Sequence, residues 1–357
     1  MLTDNITKKN TLFDSRFLSA TFFICSLMVV GIHSYNITDE TVNTVTGYIE
    51  SFLCHGIFIS AVPIFFFLSG YLFFRNISST KDVLKKMKTR AKSVLMPFLV
   101  WSALYLFIFT VGSLTPFFSS EGVSFAPLDI LKGIVFYKYC FPLWYMYQLV
   151  MFILLTPLIN IFLKKRYLSL GILIVLTVVS IGVKSSFDIE VFPGSERSLF
   201  QINFFCYYFA GCLAVKFSEK FMKLKEKIET RKRIIAIVSG LLLVIFAFVQ
   251  SIIFEERVPF FYDRFFVPFV FVCLFILLWC IYKKVPYIKN ASTMIVYGIH
   301  SIIGTVLINV FSDVLSKIPV IISFLLAYAV VSVLSFSFAY IVKRFMKPIN
   351  FVLSGGR

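Results

Sequence analysis

Three histidines, His33, His55 and His300, interrupt long apolar stretches that otherwise carry almost no ionisable side chain. Imidazole changes protonation near neutral pH, and a titratable group set in a bilayer marks function before it marks packing. The chemistry these residues point to is proton transfer inside a membrane. Other chemistries lack their residues. No HExxH word offers a metal site, no glycine-rich phosphate loop follows a strand, and no GxSxG elbow surrounds Ser69. Cys25, Cys54, Cys140, Cys206, Cys212, Cys273 and Cys280 are scattered without CxxC spacing, which suits small apolar packing residues better than a disulfide framework.

What must position the histidines is a helical bundle in a lipid bilayer. Of 357 residues, 59% are hydrophobic and 45 are Phe, more than a soluble core requires. Helices of about 20 residues cross a ~30 Å hydrocarbon core. Ten apolar runs near that length cover 17–35, 52–74, 94–112, 143–163, 168–183, 199–217, 234–254, 265–282, 293–311 and 319–342, the fifth being the shortest. The expected fold is all-α: a polytopic integral membrane bundle of about ten helices. It reads as one domain over residues 1–357 without a soluble appendage, residues 343–357 forming a short tail. The first run lacks a small-residue cleavage site and follows a polar stretch of mixed charge, so no removable signal peptide is expected.

A net charge of +17 raises nucleic acid as a partner, and its distribution argues against it. With the N-terminus in the cytoplasm, 28 of the 35 Lys and Arg residues fall on the cytoplasmic side and 7 on the outside. That asymmetry is the positive-inside pattern, so the charge reports topology, with both termini cytoplasmic. Connections 75–93 and 216–233 hold much of it. They suit anionic headgroups, or a cytosolic ligand rich in phosphate. The outer connection 113–142, with Pro116 and Pro127, reads equally as a plain loop or as a lid over an acceptor.

The word AVPIFFFLSGYLFF at 61–74, taken with the IH pair at 32–33, resembles the acyltransferase 3 family of polytopic membrane O-acyltransferases. LMVVGIH at 27–33, KTRAKSVLMPFLVW at 88–101, LWYMYQL at 143–149, YYFAGCL at 207–213 and IVYGIH at 295–300 are similar to that family's words in the same order. The resemblance implies a multi-pass enzyme of the bacterial cytoplasmic (inner) membrane. Such an enzyme moves an acyl group, most commonly acetyl from acetyl-CoA, onto a glycan hydroxyl of capsule, exopolysaccharide or lipopolysaccharide type. The chain departs from the family's pattern at three positions. Phe22 stands where an Arg precedes the first His by eleven residues, Pro142 replaces a His before the LW pair, and Ser78 replaces a second Arg three positions after Arg75.

Transfer to an alcohol needs a base to take the hydroxyl proton as the carbonyl is attacked. Helical rise sets His33 at ~24 Å above the cytoplasmic end, His55 at ~5 Å below the outer surface, and His300 at ~10 Å from the cytoplasmic side. His33 is the first candidate base and His300 the second, as orienter or relay. His55 is read as interfacial. Arg75 and Arg90 are the candidate ligands for the phosphates of coenzyme A, against a reading as snorkelling topology markers. Ser69 and Gly70 read as small residues that let helices approach, and Tyr71, Trp144 and Tyr145 as packing seams or an aromatic wall. Direct transfer needs no covalent intermediate, and an acyl-enzyme on His33 is the other route. Two further classes share the architecture: a transporter or flippase of a lipid-linked glycan, and an inactive assembly subunit. Transporters usually place carboxylates near the midplane, whereas Asp39, Glu40, Glu50, Asp188, Glu190, Glu255, Glu256 and Asp263 are assigned to connections.

Overall fold

A computed structural model describes residues 12–36, 41, 43–112, 126–182, 186–192, 195–256, 265–285, 292–315 and 317–356. Though 143–163 is broken by a bend and 199–217 begins in a strand, the apolar runs expected to cross the membrane fall mainly on helices. In chain order these are α1 (Ser15–Ile32), α2 (Val45–Phe74), α3 (Thr80–Gly112), the pair α5 (Phe141–Leu154) and α6 (Thr156–Leu163), α7 (Arg166–Gly182), α8 (Ile202–Lys216), α10 (Lys232–Glu256), α11 (Val267–Lys284), α12 (Thr293–Leu315) and α13 (Val320–Phe345). Three more helices lie between or after them: α4 (Pro127–Val135), α9 (Ser218–Thr230) and α14 (Lys347–Ser354). Among the described residues, seven helices are long and apolar enough to cross a membrane, and α5–α6 makes an eighth if the bent pair is one crossing. α7 and α8 are apolar but shorter. The α5–α6 bend of 54° falls where Pro157 enters the helix and removes a backbone donor.

The second helix begins before its apolar run does. Thr44 caps it, its hydroxyl accepting from the Gly47 N–H at 3.2 Å, so Glu50 belongs to α2 and is fully buried. The assignment of Glu50 to a connection is thereby corrected: apolarity marks where lipid begins, while the cap marks where the helix begins. The buried carboxylate is paired. With its amide nitrogen turned toward it, Asn36 donates to the two Glu50 oxygens at 2.8 and 2.9 Å and accepts from the Ser323 hydroxyl at 3.1 Å. Further along, α2 passes through a π turn at Phe52–Ile57, and α3 has another at Ala91–Leu95, directly after Arg90. Such turns rotate the residues that follow and cluster near functional sites.

α2 is packed on both sides. A methyl group added at Gly70 would lie 2.1 Å from the Tyr208 carbonyl oxygen, and one at Gly211 would lie 1.9 Å from the Phe67 carbonyl. Only two glycines let α2 and α8 run backbone to backbone, as the small-residue reading of Gly70 expects. On another face of α2, Tyr71 packs edge-on against Phe13 at 4.7 Å.

Two features were absent from the sequence reading. An antiparallel hairpin, β1 (Ser186–Phe192) and β2 (Ser195–Gln201), joins α7 to α8. Buried Gln148 on α5 pins it: its amide nitrogen donates to the Ser198 carbonyl at 2.8 Å, and its oxygen accepts from the Gln201 N–H at 3.1 Å. The segment read as a tail is structured as well. α13 continues to Phe345, and α14 folds back onto α3, where the Trp101 indole donates to the Leu353 carbonyl at 3.0 Å.

Candidate functional site

Among the cavities of the described residues, two lie toward opposite ends of α1 and α12. The inner one, 340 Å³, is lined by Ser15, Ser19 and Phe22 of α1, Ser69 of α2, Arg90 of α3 and Tyr145 of α5, among others. The outer one, 260 Å³, is lined by His33, by Tyr105 of α3 and by residues 139–142 at the start of α5. α12 serves both. Thr293, Met294 and Tyr297 face the inner cavity, while Ser301, Ile302 and Thr305 face the outer one. These sets recur at three- to four-residue spacing, so each falls along a stripe of the helix.

The two candidate imidazoles stand at the outer cavity. His33 and His300 lie with ring centroids 5.1 Å apart. His33 closes the end of α1 and is exposed on the outer cavity, whereas His300 is almost wholly buried behind it. The His300 Nδ1 is 2.8 Å from the Tyr297 carbonyl and 3.3 Å from that of Val296. Carbonyls only accept, so Nδ1 carries the proton and Nε2 keeps a lone pair. That Nε2 is buried without a hydrogen-bond partner.

Depth counted along the chain separates these two rings, and the structure brings them together. His33 follows 18 residues of α1, while His300 is only the eighth residue of α12. Rise alone assumes helices that run straight across at one tilt, and the 5.1 Å approach of the rings shows that α1 and α12 do not keep that relation. His55 packs edge-on against Tyr35, two residues beyond His33, at 4.6 Å.

The expected phosphate ligands are divided. Arg90 lines the inner cavity and Arg75 does not. Lys86 interacts electrostatically with both, so the three form one cationic cluster beside the cavity. Ser69 also faces this cavity, its hydroxyl 3.3 Å from that of Tyr145. Neighbouring Gly70 and Tyr71 face the helix contact and the core, so three successive residues serve three purposes. Trp144 leaves the cavity to Tyr145 and packs on Phe204 at 5.0 Å. Phe22, where the family pattern carries an Arg, stacks on Phe65 at 5.9 Å and leaves that wall apolar.

The sequence reading missed three tyrosines. Tyr208 lines the inner cavity with a buried hydroxyl that has no partner. Tyr105 lines the outer one and donates to the Gly298 carbonyl at 2.9 Å. Tyr297 donates its hydroxyl to the Pro142 carbonyl, with its ring 5.9 Å from His300 and 5.7 Å from Tyr145. Two of them stand inside the YYFAGCL and IVYGIH words, which was the available signal. In the outer connection, 113–125 lies outside the described residues, and 139–142 forms part of the cavity wall. Among the described residues no three His, Cys, Asp or Glu side chains gather as a metal site.

A model of the acyltransferase domain of the acyltransferase 3 family matches residues 23–344, a stretch that holds both histidines, the cationic cluster and Tyr297. The chain belongs to that family. Its run of long apolar helices makes it a multi-pass membrane member. Over 126 residues it is 29% identical to the succinoglycan biosynthesis protein ExoH of Rhizobium meliloti (strain 1021), a match covering 34% of each chain. The chain thus spans about a third of the length of that curated relative. No solved structure matches it.

Proposed function

We propose that this chain moves an acyl group, acetyl in the first instance, from cytosolic acyl-CoA to a hydroxyl of a surface or exported glycan, with His33 as general base. The observation that carries the reading is a pair of cavities strung along α12 and linked through Tyr297 and Pro142, with the His33–His300 pair at the outer one. Acyl-CoA reaches the basic side first. There the cluster of Arg75, Lys86 and Arg90 suits its phosphates, Arg90 nearest the cavity, and the thioester arm runs inward past the Ser69 and Tyr145 hydroxyls. A glycan hydroxyl enters from the His33 side. The name of the succinoglycan relative supports a polysaccharide acceptor, and a cytosolic donor supports the bacterial inner membrane.

In the reaction His33 takes the hydroxyl proton as the oxygen attacks the thioester carbonyl carbon. The carbon–sulfur bond then breaks, and the thiolate receives that proton from the imidazolium. Because His300 spends its Nδ1 proton on two backbone carbonyls, its Nε2 is free to accept a hydrogen bond from His33. That contact would orient the base and stabilise its cationic form, the role a third group plays behind many catalytic histidines. Among the described residues Glu50 is the fully buried carboxylate; it lines neither the inner nor the outer cavity and is held by Asn36, on the wall of a third cavity of 310 Å³.

The test is turnover of radiolabelled acetyl-CoA by purified protein in liposomes with a surface-glycan extract, wild type beside His33→Ala. Label in the glycan that is lost in the variant is the expected result. A folded protein that binds no acyl-CoA would move the weight to transport or an assembly role. Sidedness is checked separately, with an impermeant thiol reagent reaching a cysteine placed in 126–142 from outside and one placed in 81–92 only from the cytoplasm.

A further inference from the structure

The inner and outer cavities approach each other at one side chain. Tyr297 lines the inner cavity, and its hydroxyl is tied to the carbonyl of Pro142, which lines the outer one. One turn further along α12, Ser301 already faces the outer cavity. The Tyr297 ring packs between Tyr145, on the inner wall, and His300, behind the outer wall. Neighbouring Gly298 fixes its helix against α3, since a methyl group there would lie 2.1 Å from the Trp101 ring. The tyrosine is thus held by its backbone, its ring and its hydroxyl at the boundary.

We propose that Tyr297 is a partition between the donor and acceptor chambers, a positioning residue that keeps water from one side off the thioester held on the other. This rests on the acyl-transfer reading above for its consequence, though not for its geometry. A thioester carbonyl beside a base is open to water as well as to a sugar hydroxyl. Water attack forms the carbon–oxygen bond of a free acid, breaks the carbon–sulfur bond and releases the thiol with the proton, so each such event discards a donor. A site fed from two aqueous faces needs a barrier that yields to the substrates and not to solvent. The Tyr297–Pro142 bond is the latch of that barrier, and the ring is its body.

Two readouts test it. The first is the ratio of free acid to transferred acyl group, measured in one reaction. Tyr297→Phe removes the latch and keeps the ring, and is expected to raise the ratio a few-fold. Tyr297→Ala removes both and is expected to raise it tenfold or more, with the donor KM within about threefold of wild type. A folded Tyr297→Ala protein with the wild-type ratio would overturn the partition. The second readout needs no activity. A cysteine at Ser69, in the inner cavity, should react with an impermeant thiol reagent from the cytoplasmic side alone, and from both sides once Tyr297 is Phe or Ala. Reaction from both sides in the otherwise wild-type chain would overturn the proposal even if Tyr297→Ala does not fold. A wild type that neither transfers nor hydrolyses any acyl-CoA would defeat the acyl-transfer reading, and the labelling arm would still decide the partition.

Discussion

The inner and outer cavities share α1, α3 and α12, yet their walls differ in kind. The inner wall carries a guanidinium, several small hydroxyls and a belt of aromatic rings, with Lys86 and Arg75 extending the positive charge beside it. The outer wall carries the imidazole of His33, with His300 in reserve behind it. In the proposed function one side would hold the long, phosphate-bearing donor and the other would move a proton. Under the proposed function, binding and chemistry are therefore separable along the helix axis, and substitutions on the two sides should fail in different ways.

The sharpest break lies at the outer wall. Removing a general base typically costs 10²- to 10⁴-fold, so His33→Ala should lower kcat by about 10³-fold with little change in the donor KM. His300→Ala should cost less, on the order of 10- to 100-fold, because it takes away the group behind the base and leaves the base itself. Both are read as glycan acylation in liposomes, with expression and membrane insertion matched to wild type. Near-normal turnover in His33→Ala would remove the histidine from the mechanism. A loss in His300→Ala that equals the His33 loss would instead make His300 the base, which its partnerless Nε2 allows.

The inner wall should fail in KM. A charge-assisted bond to phosphate is worth about 1.5–3 kcal/mol, so Arg90→Ala should raise the donor KM by about 10- to 100-fold while kcat stays within a few-fold. Arg75, half-buried and off the cavity wall, should move it by less than about fivefold. Equal effects of the two would show that the cluster acts as a diffuse field and that the cavity contact of Arg90 is incidental.

This division of labour was partly legible in the sequence. Among the described residues, the apolar runs found every helix long and apolar enough to cross a membrane, because the need to satisfy backbone groups in lipid leaves helices as the open solution for such runs. Histidine, arginine and glycine announced themselves by residue type, since each is costly or special in that setting. Partners were not legible. Nothing in the spacing of 33 and 300 says that the rings meet at 5.1 Å, because that depends on how two helices are offset and tilted. The tyrosines were hidden by number: 17 Tyr and 45 Phe supply too many aromatic candidates for residue type alone to single out Tyr105, Tyr208 and Tyr297. The hairpin at 186–201 escaped because a period-two pattern is short and weak beside the apolar runs around it.

The contrast between neighbours on α2 gives two smaller tests. Gly70→Ala would press a methyl group to 2.1 Å from the Tyr208 carbonyl, and a backbone atom cannot move aside as a side chain can. Overpacking of this kind costs about 1–3 kcal/mol, so the thermal midpoint in detergent should fall, and activity should follow only as the folded fraction falls. An unchanged midpoint would mean that α2 and α8 separate easily and that their close contact does not define the inner cavity.

Ser69, one residue earlier, should matter least. Its hydroxyl faces the inner cavity and meets the Tyr145 hydroxyl at 3.3 Å, a long hydrogen bond of about 1 kcal/mol at most. Ser69→Ala removes that bond and leaves Tyr145 inside a cavity where water can replace it, so turnover should change by less than about threefold. The same substitution judges a covalent mechanism. A serine that carried the acyl group would lose nearly all activity on conversion to Ala, since the nucleophilic oxygen itself is removed. Survival of turnover in Ser69→Ala, set beside its collapse in His33→Ala, would place the chemistry on the outer side of the partition and leave the inner cavity the task of delivering the donor.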